Sequence, residues 1–266
     1  MADSPAFRLE AYLDRIGAGR PIAPSLEALR TLHQTHVGAI PFENLDILLG
    51  RTIRIDLASV EAKLVVARRG GYCFEQNTLF RAALEALGYT VTALSARVRT
   101  NTAVIRPRTH MLLRVDLPEG PFLADVGFGG DGPLHPLALA TGRESWIGVS
   151  GHRLRREDDL WVLEGNGAGD WNDLYAFTLE AQYPVDFEMA NHFTSSWPQS
   201  PFVNNLVVQR SWPEGRATLL NRSLVVQEGN VATPQEVRDR EHLLEVLEQH
   251  FGLAFPAGTR FSLPAF

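Results

Sequence analysis

The sequence predicts an α+β fold: helices first, a run of short antiparallel strands in the middle, then strands and a helix at the end. Three observations carry this. Apolar residues recur at three- and four-residue steps as far as Leu87. After Gly88 the pattern changes to short segments rich in Val, Thr and aromatic residues. Clusters of Gly, Pro, Asn and Asp separate those segments. A chain of 266 residues can bury a substantial core, and we expect domain boundaries that divide it into 1–88, 89–196 and 197–266.

Residues 7–16 read as a short amphipathic helix, broken by Gly17, Gly19 and Pro21. Ser25 is placed to cap a second helix with Leu26, Leu29, Leu32 and Val37 on its inner face. In Ile40-Pro41-Phe42-Glu43-Asn44-Leu45, the proline forbids helix continuation. Glu43 is either a solvated loop carboxylate or the partner of Arg69. A third helix is expected over 59–69, capped by Ser59, with Leu64, Val65 and Ala67 among its apolar positions. Gly70-Gly71 would stop it by taking positive φ. A new periodicity follows at once through Phe74, Leu79, Phe80, Ala83, Leu84 and Leu87. Cys73, the only cysteine, therefore falls at or within one residue of a helix N-terminus. Unpaired N–H groups and the positive dipole end favour a thiolate there. The alternative is a buried structural cysteine.

Strands are expected at 89–98, 109–117 and 122–128, the last two forming a hairpin across Pro118-Glu119-Gly120-Pro121. Others fall at 145–149, 152–156, 160–164 and 174–179, with a turn cluster at 165–170. Short strands at this spacing suggest a closed or partly closed antiparallel barrel. A linking helix is expected over 184–196, ended by Trp197-Pro198-Gln199-Ser200-Pro201. Strands follow at 206–212, 217–220 and 223–228. Thr233 and Glu236 make a capping box for a last helix, with Pro234 at its first position and Val237, Leu243, Leu244, Leu247 and Phe251 as its stripe.

A net charge of −6 argues against nucleic acid as a partner. No apolar run is long enough to span a membrane. Met1-Ala2-Asp3-Ser4-Pro5 has neither the basic nor the apolar region of a secretory leader. One cysteine cannot form an internal disulfide, and a free thiol suits a reducing compartment, so we expect the cytoplasm. Without secretion, the glycosylation pattern Asn221-Arg222-Ser223 carries no meaning. No cluster has metal-ligand spacing, and no metal is expected.

A cysteine nucleophile needs a base, and the base needs an orienting group. His110 stands in the apolar strand Thr109-His110-Met111-Leu112-Leu113, and Asp125 in its neighbour, Leu123-Ala124-Asp125-Val126. A carboxylate there is costly without partners. Pairing Leu117 with Phe122 would set His110 level with residue 129 and Asp125 a few residues off, so contact is possible. Residues 127–132 satisfy Gly-x-Gly-x-x-Gly after a strand. Pro133 and Pro136 stand where a dinucleotide fold requires a helix, and that reading fails.

Arg69-Gly70-Gly71-Tyr72-Cys73-Phe74-Glu75-Gln76-Asn77, Arg108-Thr109-His110-Met111-Leu112-Leu113 and Leu123-Ala124-Asp125-Val126-Gly127-Phe128-Gly129 together resemble the arylamine N-acetyltransferases, the bacterial ones in particular. The segments 40–45 and 195–202 also resemble that family, so the likeness spans about 7–205. The resemblance implies a helical domain, a β-barrel and an α/β lid around a cysteine-protease-like core. It implies that Cys73 accepts the acetyl group, that His110 is the base and that Asp125 orients it. Acetyl-coenzyme A would be the donor, and an arylamine, hydrazine or arylhydroxylamine the acceptor. Phe42, Phe128 and Phe202 fall where the family surrounds the acceptor. Gly129 and Gly130 would let backbone approach the pantetheine arm or the thioester. Beyond these small molecules we expect a monomer or homodimer. The same three residues could serve a cysteine hydrolase, or an amide synthase fed by a carrier protein, and a binding protein could retain the fold.

Overall fold

The computed structural model of the chain describes residues 7–21, 23–100, 102, 104–167 and 169–263. Met1 to Pro5, read above for a leader, and Ala168 of the turn cluster lie outside them.

Helices α1 (Leu9–Ile16) and α2 (Leu26–Ala39) form where expected, and Ser25 Oγ accepts the Ala28 N–H at 3.2 Å. The inner face of α2 buries Leu29 and Leu32 together with His33 and His36. Short elements β1 (Phe42–Glu43) and α3 (Leu45–Leu48) lead to α4 (Leu57–Glu61), which continues as a π-helical turn over Ala62–Val66. Asp56, and not Ser59, caps α4: its Oδ1 accepts the Ser59 N–H at 3.0 Å. The glycines do not end this segment by left-handed backbone either. Arg68 takes the positive φ, 52°. Gly70 and Gly71 are needed for space. A Cβ on Gly70 would strike the Pro41 carbonyl oxygen, and one on Gly71 would lie 2.7 Å from Glu75 Oε2. That close approach allows the Gly71 N–H to reach Pro41 O at 3.2 Å, and α5 (Cys73–Ala86) then begins at Cys73 itself.

The central strands are β2 (Thr90–Val98), β3 (His110–Leu117), β4 (Gly120–Ala124), β5 (Leu137–Ala138), β6 (Glu144–Ile147), β7 (Ser150–Glu157), β8 (Leu160–Asn166) and β9 (Asn172–Phe177). They form one antiparallel sheet in the order β5-β4-β3-β2-β9-β8-β7-β6, curled until β5 lies against β7. The β3–β4 hairpin is tighter than expected. Leu117 pairs with Gly120 and not Phe122, because Gly120 turns the chain at φ 119°. Leu113 therefore pairs with Ala124, and Asp125 leaves the end of β4 beside the start of β3. Successive side chains of β3 point to opposite faces. Leu112 joins the barrel interior with Leu123, Leu163 and Tyr175, while Met111 and Leu113 pack on the helices with Phe80 and Leu84.

After α6 (Pro184–Ser196) and α7 (Pro201–Asn204) come β10 (Val207–Trp212), β11 (Gly215–Leu220), β12 (Ser223–Glu228), β13 (Val231–Glu236) and α8 (Arg240–Phe251). The second sheet runs β1-β10-β11-β12-β13. The expected capping box at Thr233 and Glu236 is a strand, in which Pro234 pairs with Val225. Proline is tolerated there because β13 is the edge of its sheet. Helix α8 starts after Asp239, whose Oδ1 accepts the His242 N–H at 2.9 Å. Leu243, Leu247 and Phe251 bury the expected stripe against Val208, Leu219 and Leu224. Among the described residues no helix is long and apolar enough to cross a membrane.

Candidate active site

Three elements converge on one point. Cys73 opens α5, His110 opens β3, and Asp125 follows β4. His110 Nε2 lies 2.7 Å from Asp125 Oδ2, and the imidazole shares a cavity wall with Cys73. Since Nε2 is committed to Asp125, Nδ1 is the nitrogen left for the thiol. Cys73 Sγ further lies 3.7 Å from the Thr109 carbonyl oxygen. None of the three side chains is more than 4 % exposed.

Burial alone would discharge both partners of the His110–Asp125 pair. It pulls the imidazole down, but the charge and hydrogen bond of Asp125, with Cys73 beyond, outweigh it and raise His110 to about 10. Burial likewise pushes Asp125 up. His110, Asn77 Nδ2 and the Gly127 N–H outweigh that and leave it below the ordinary 3.8. The site therefore holds imidazolium and carboxylate together at neutral pH.

Cys73 and His110 face a cavity of about 530 Å³, whose walls include Phe42, Phe128 and Phe202. The three phenylalanines singled out from the sequence are thus brought together around the thiol. Phe128 meets the His110 ring edge-on at 5.2 Å, and Phe42 and Phe202 lie 5.8 Å apart. A cavity of this size, mostly apolar and with a few convergent polar groups, suits a small aromatic ligand.

A family model described as N-acetyltransferase matches residues 25–259. The arylamine N-acetyltransferase / N-hydroxyarylamine O-acetyltransferase of Salmonella typhimurium is 41 % identical over 248 residues, 92 % of this chain and 88 % of that protein. The chain belongs to the arylamine N-acetyltransferase family. The solved Salmonella typhimurium arylamine N-acetyltransferase superposes with a TM-score of 0.88 at 41 % identity, over 92 % of this chain and 90 % of that one. The Mycobacterium marinum arylamine N-acetyltransferase in complex with CoA gives 0.87 at 35 % identity, over 92 % of each chain.

Not every glycine singled out beforehand reaches this arylamine N-acetyltransferase cavity. Gly127 does: a Cβ there would lie 2.7 Å from Cys73 Cα and from Asn77 Nδ2. Gly129 and Gly130 instead pack on the second sheet. The Gly130 N–H is taken by Gln209 Oε1 at 2.9 Å, and Gly129, at φ 95°, has no room for a side chain beside Gln209. Among the described residues no group of three or more His, Cys, Asp or Glu side chains is arranged to hold a metal ion.

Four supporting residues escaped sequence reasoning. Asn77, one turn beyond Cys73, donates to Asp125 Oδ1 at 3.0 Å and to Met111 O at 2.7 Å, and accepts the Val126 N–H at 3.2 Å. His33 Nε2 accepts the Asp125 N–H at 3.1 Å, and burial lowers its pKa to about 4. The acceptor role puts its proton on Nδ1. His36 Nδ1 lies 2.9 Å from Tyr12 Oη and its Nε2 2.7 Å from Gln76 Oε1. Gln76 Nε2 in turn donates to the carbonyls of Ile40, Pro41 and Gly71, which anchors the turn before the cysteine. A signal was available: two histidines interrupt the apolar face of α2, where each buried ring needs a partner.

The charged pair expected beside this turn is present within a larger cluster. Arg69 Nη2 reaches Glu43 Oε1 at 2.7 Å and Asp46 Oδ1 at 3.3 Å, and Lys63 Nζ reaches Glu75 Oε1 at 2.7 Å and Asp46 Oδ2 at 3.0 Å. Glu75 Oε2 also accepts the Tyr72 N–H at 3.1 Å, so the cluster grips the first turn of α5 directly.

Stability should follow the His110–Asp125 pair with a definite sign. His110, raised from 6.5 to about 10, contributes stability that is complete below 6.5 and lost as pH rises through about 10. Asp125, depressed, contributes above 3.8 and loses that as pH falls. The melting-temperature advantage of wild type over Asp125→Asn should therefore be largest between 3.8 and 6.5 and shrink towards pH 10. Thermal melts of both proteins across that range test this. A constant difference would contradict the charge assignment.

Proposed function

We propose that this arylamine N-acetyltransferase carries acetyl groups from acetyl-coenzyme A to arylamines, hydrazines or arylhydroxylamines through a thioester on Cys73. One observation carries the reading. His110 is bonded to Asp125 and shares the wall of an aromatic cavity with a cysteine that opens a helix. The thiolate attacks the donor's acetyl carbonyl. The oxyanion develops at the N-terminus of α5, whose positive dipole end stabilises it. The tetrahedral adduct breaks its bond to the coenzyme A sulfur, which takes its proton from His110. In the second half, the acceptor nitrogen attacks the thioester while neutral His110 removes its proton. The bond to Cys73 Sγ then breaks, restoring thiolate and imidazolium. Asp125 holds the imidazole in the tautomer that leaves Nδ1 free for these transfers. Phe42, Phe128 and Phe202 pack the acceptor ring.

The division into 1–88, 89–196 and 197–266 belongs to the same reading. The barrel interior around Leu94, Leu163 and Tyr175 supports the middle part, whereas Met111 and Val126 pack with the helices, Leu45 and Leu48 pack with the last part, and β1 pairs with β10. A reducing compartment, the cytoplasm, suits the lone thiol.

One thiolate cannot hold donor and acceptor together, so the kinetics should be ping-pong. Acetyl-coenzyme A alone should release a burst of coenzyme A equal to the active sites. Intact mass should show one added acetyl group, absent in Cys73→Ala, that an arylamine discharges quickly and water slowly. Rapid discharge by water would favour a hydrolase. Acylation from a carrier protein but not from the coenzyme A thioester would favour an amide synthase. Loss of the burst altogether would remove the covalent route.

A further inference from the structure

Strand β4 ends at Ala124, and Asp125 lies one residue beyond it. Past the strand end, side chains hold the backbone. His33 Nε2 accepts the Asp125 N–H at 3.1 Å, Asn77 Oδ1 the Val126 N–H at 3.2 Å, and Asp125 Oδ1 the Gly127 N–H at 2.9 Å. His33 reaches this bend from α2, 92 residues earlier in the chain. Its ring is fully buried and meets Phe80 of α5 edge-on, with 5.8 Å between centroids and 87° between planes, which restricts where Nε2 points.

We propose that His33 is a positioning residue for acetyl transfer: as a neutral Nδ1–H imidazole it fixes the Asp125 peptide, and through it the direction of the carboxylate towards His110. The inference rests on the acetyl-transfer reading above. Asp125 is 1 % exposed, so its N–H cannot turn to water when the acceptor is lost. A buried donor without a partner is costly, and this one regains a partner only if the peptide rotates. That rotation swings the Asp125 side chain, whose Oδ2 stands 2.7 Å from His110 Nε2. A small displacement of a catalytic contact costs rate steeply. His33 must be neutral to accept, and burial keeps it so, with a pKa of about 4. Of the charged and titratable groups beside it, Asp125 raises that value and His135 lowers it. Leucine would fill the same place beside Phe80 but has no lone pair, whereas the amide oxygen of glutamine can occupy the place of Nε2.

The test follows the histidine rings by nitrogen NMR on enzyme labelled at histidine, beside the rate of the coenzyme A burst. In wild type at neutral pH, His33 should be the neutral Nδ1–H tautomer, and an Nε2–H ring there overturns the proposal. His33→Leu should slow the burst roughly 10- to 100-fold at saturating acetyl-coenzyme A. In that variant His110 should give up its proton at lower pH than in wild type, where its pKa is about 10. His33→Gln should recover most of both losses. A ring that only fills space would, when replaced by leucine, lower the melting temperature and leave the burst rate and the His110 titration at wild-type values. That result overturns the proposal, as does a folded His33→Gln that is as slow as His33→Leu. Where His33→Leu does not fold, His33→Met supplies a more adaptable apolar side chain for the same comparison, and the wild-type tautomer decides independently of both. Wild type that releases no coenzyme A would sink the transfer reading instead, while the tautomer and the His110 titration still report on the His33–Asp125 contact.

Discussion

Asp125→Asn is expected to fold and to lose acetylation rate by on the order of 10³-fold or more, as other nucleophile–His–carboxylate sites do when the carboxylate becomes an amide. The hydrogen bonds around Asp125 say why. Its Oδ1 accepts from Asn77 Nδ2 at 3.0 Å and from the Gly127 N–H at 2.9 Å, so an asparagine must place its carbonyl oxygen there. The new amide N–H₂ then faces His110 Nε2, where the carboxylate oxygen stood at 2.7 Å. An N–H facing Nε2 makes that nitrogen an acceptor and moves the ring proton to Nδ1. The imidazole can no longer take the thiol proton. Pre-steady-state release of coenzyme A measures the loss, with circular dichroism as the folding control. Near-normal acetylation in a folded Asp125→Asn would take the residue out of the mechanism.

Arg69→Gln is expected to lower stability far more than chemistry. The guanidinium bridges Glu43 and Asp46 and lies 4.5 Å over the Phe255 ring, tying the turn before Cys73 to the C-terminal segment. Removing it strands buried carboxylates, a loss of roughly 3–5 kcal/mol, which for a chain of this size corresponds to about 10 °C in melting temperature. Lys63 remains beside Asp46 and Glu75, so collapse should be partial. A thermal melt decides it, together with burst amplitude per folded molecule. An unchanged melting temperature would show that Lys63 alone neutralises the cluster.

Both expectations began as sequence readings, and the structure altered each in a particular way. The Glu43–Arg69 pair was suggested by a carboxylate in an apolar segment. Nothing in one-dimensional order could add Lys63, Asp46 and Glu75, because their meeting depends on how α3, the π-helical turn and α5 pack. The His110–Asp125 contact was possible from a hairpin, but the assumed register was two residues out. Only the left-handed Gly120 closes the turn tightly enough to bring Asp125 level with the start of β3.

The sequence by itself determined the helix-to-strand order and the cysteine at a helix start, while the three aromatic residues at the cavity came only through the family resemblance. Periodicity, glycine punctuation and a specific motif are local properties, and local physics suffices to read them. It misled where local preference meets tertiary demand. Thr233, Pro234 and Glu236 have the chemistry of a helix start, yet pairing with β12 gives that backbone hydrogen bonds that one capped turn cannot match. The double glycine reads as a helix stop, yet it is required by the Pro41 carbonyl lying against it from another part of the chain. Tertiary structure alone decided the supports of the site, namely Asn77 on Asp125, His33 on the Asp125 backbone, and His36 through Gln76 on the turn before Cys73. The physical reason is that a buried polar group must be paired, and which partner it finds depends on distances in space between residues far apart in the chain.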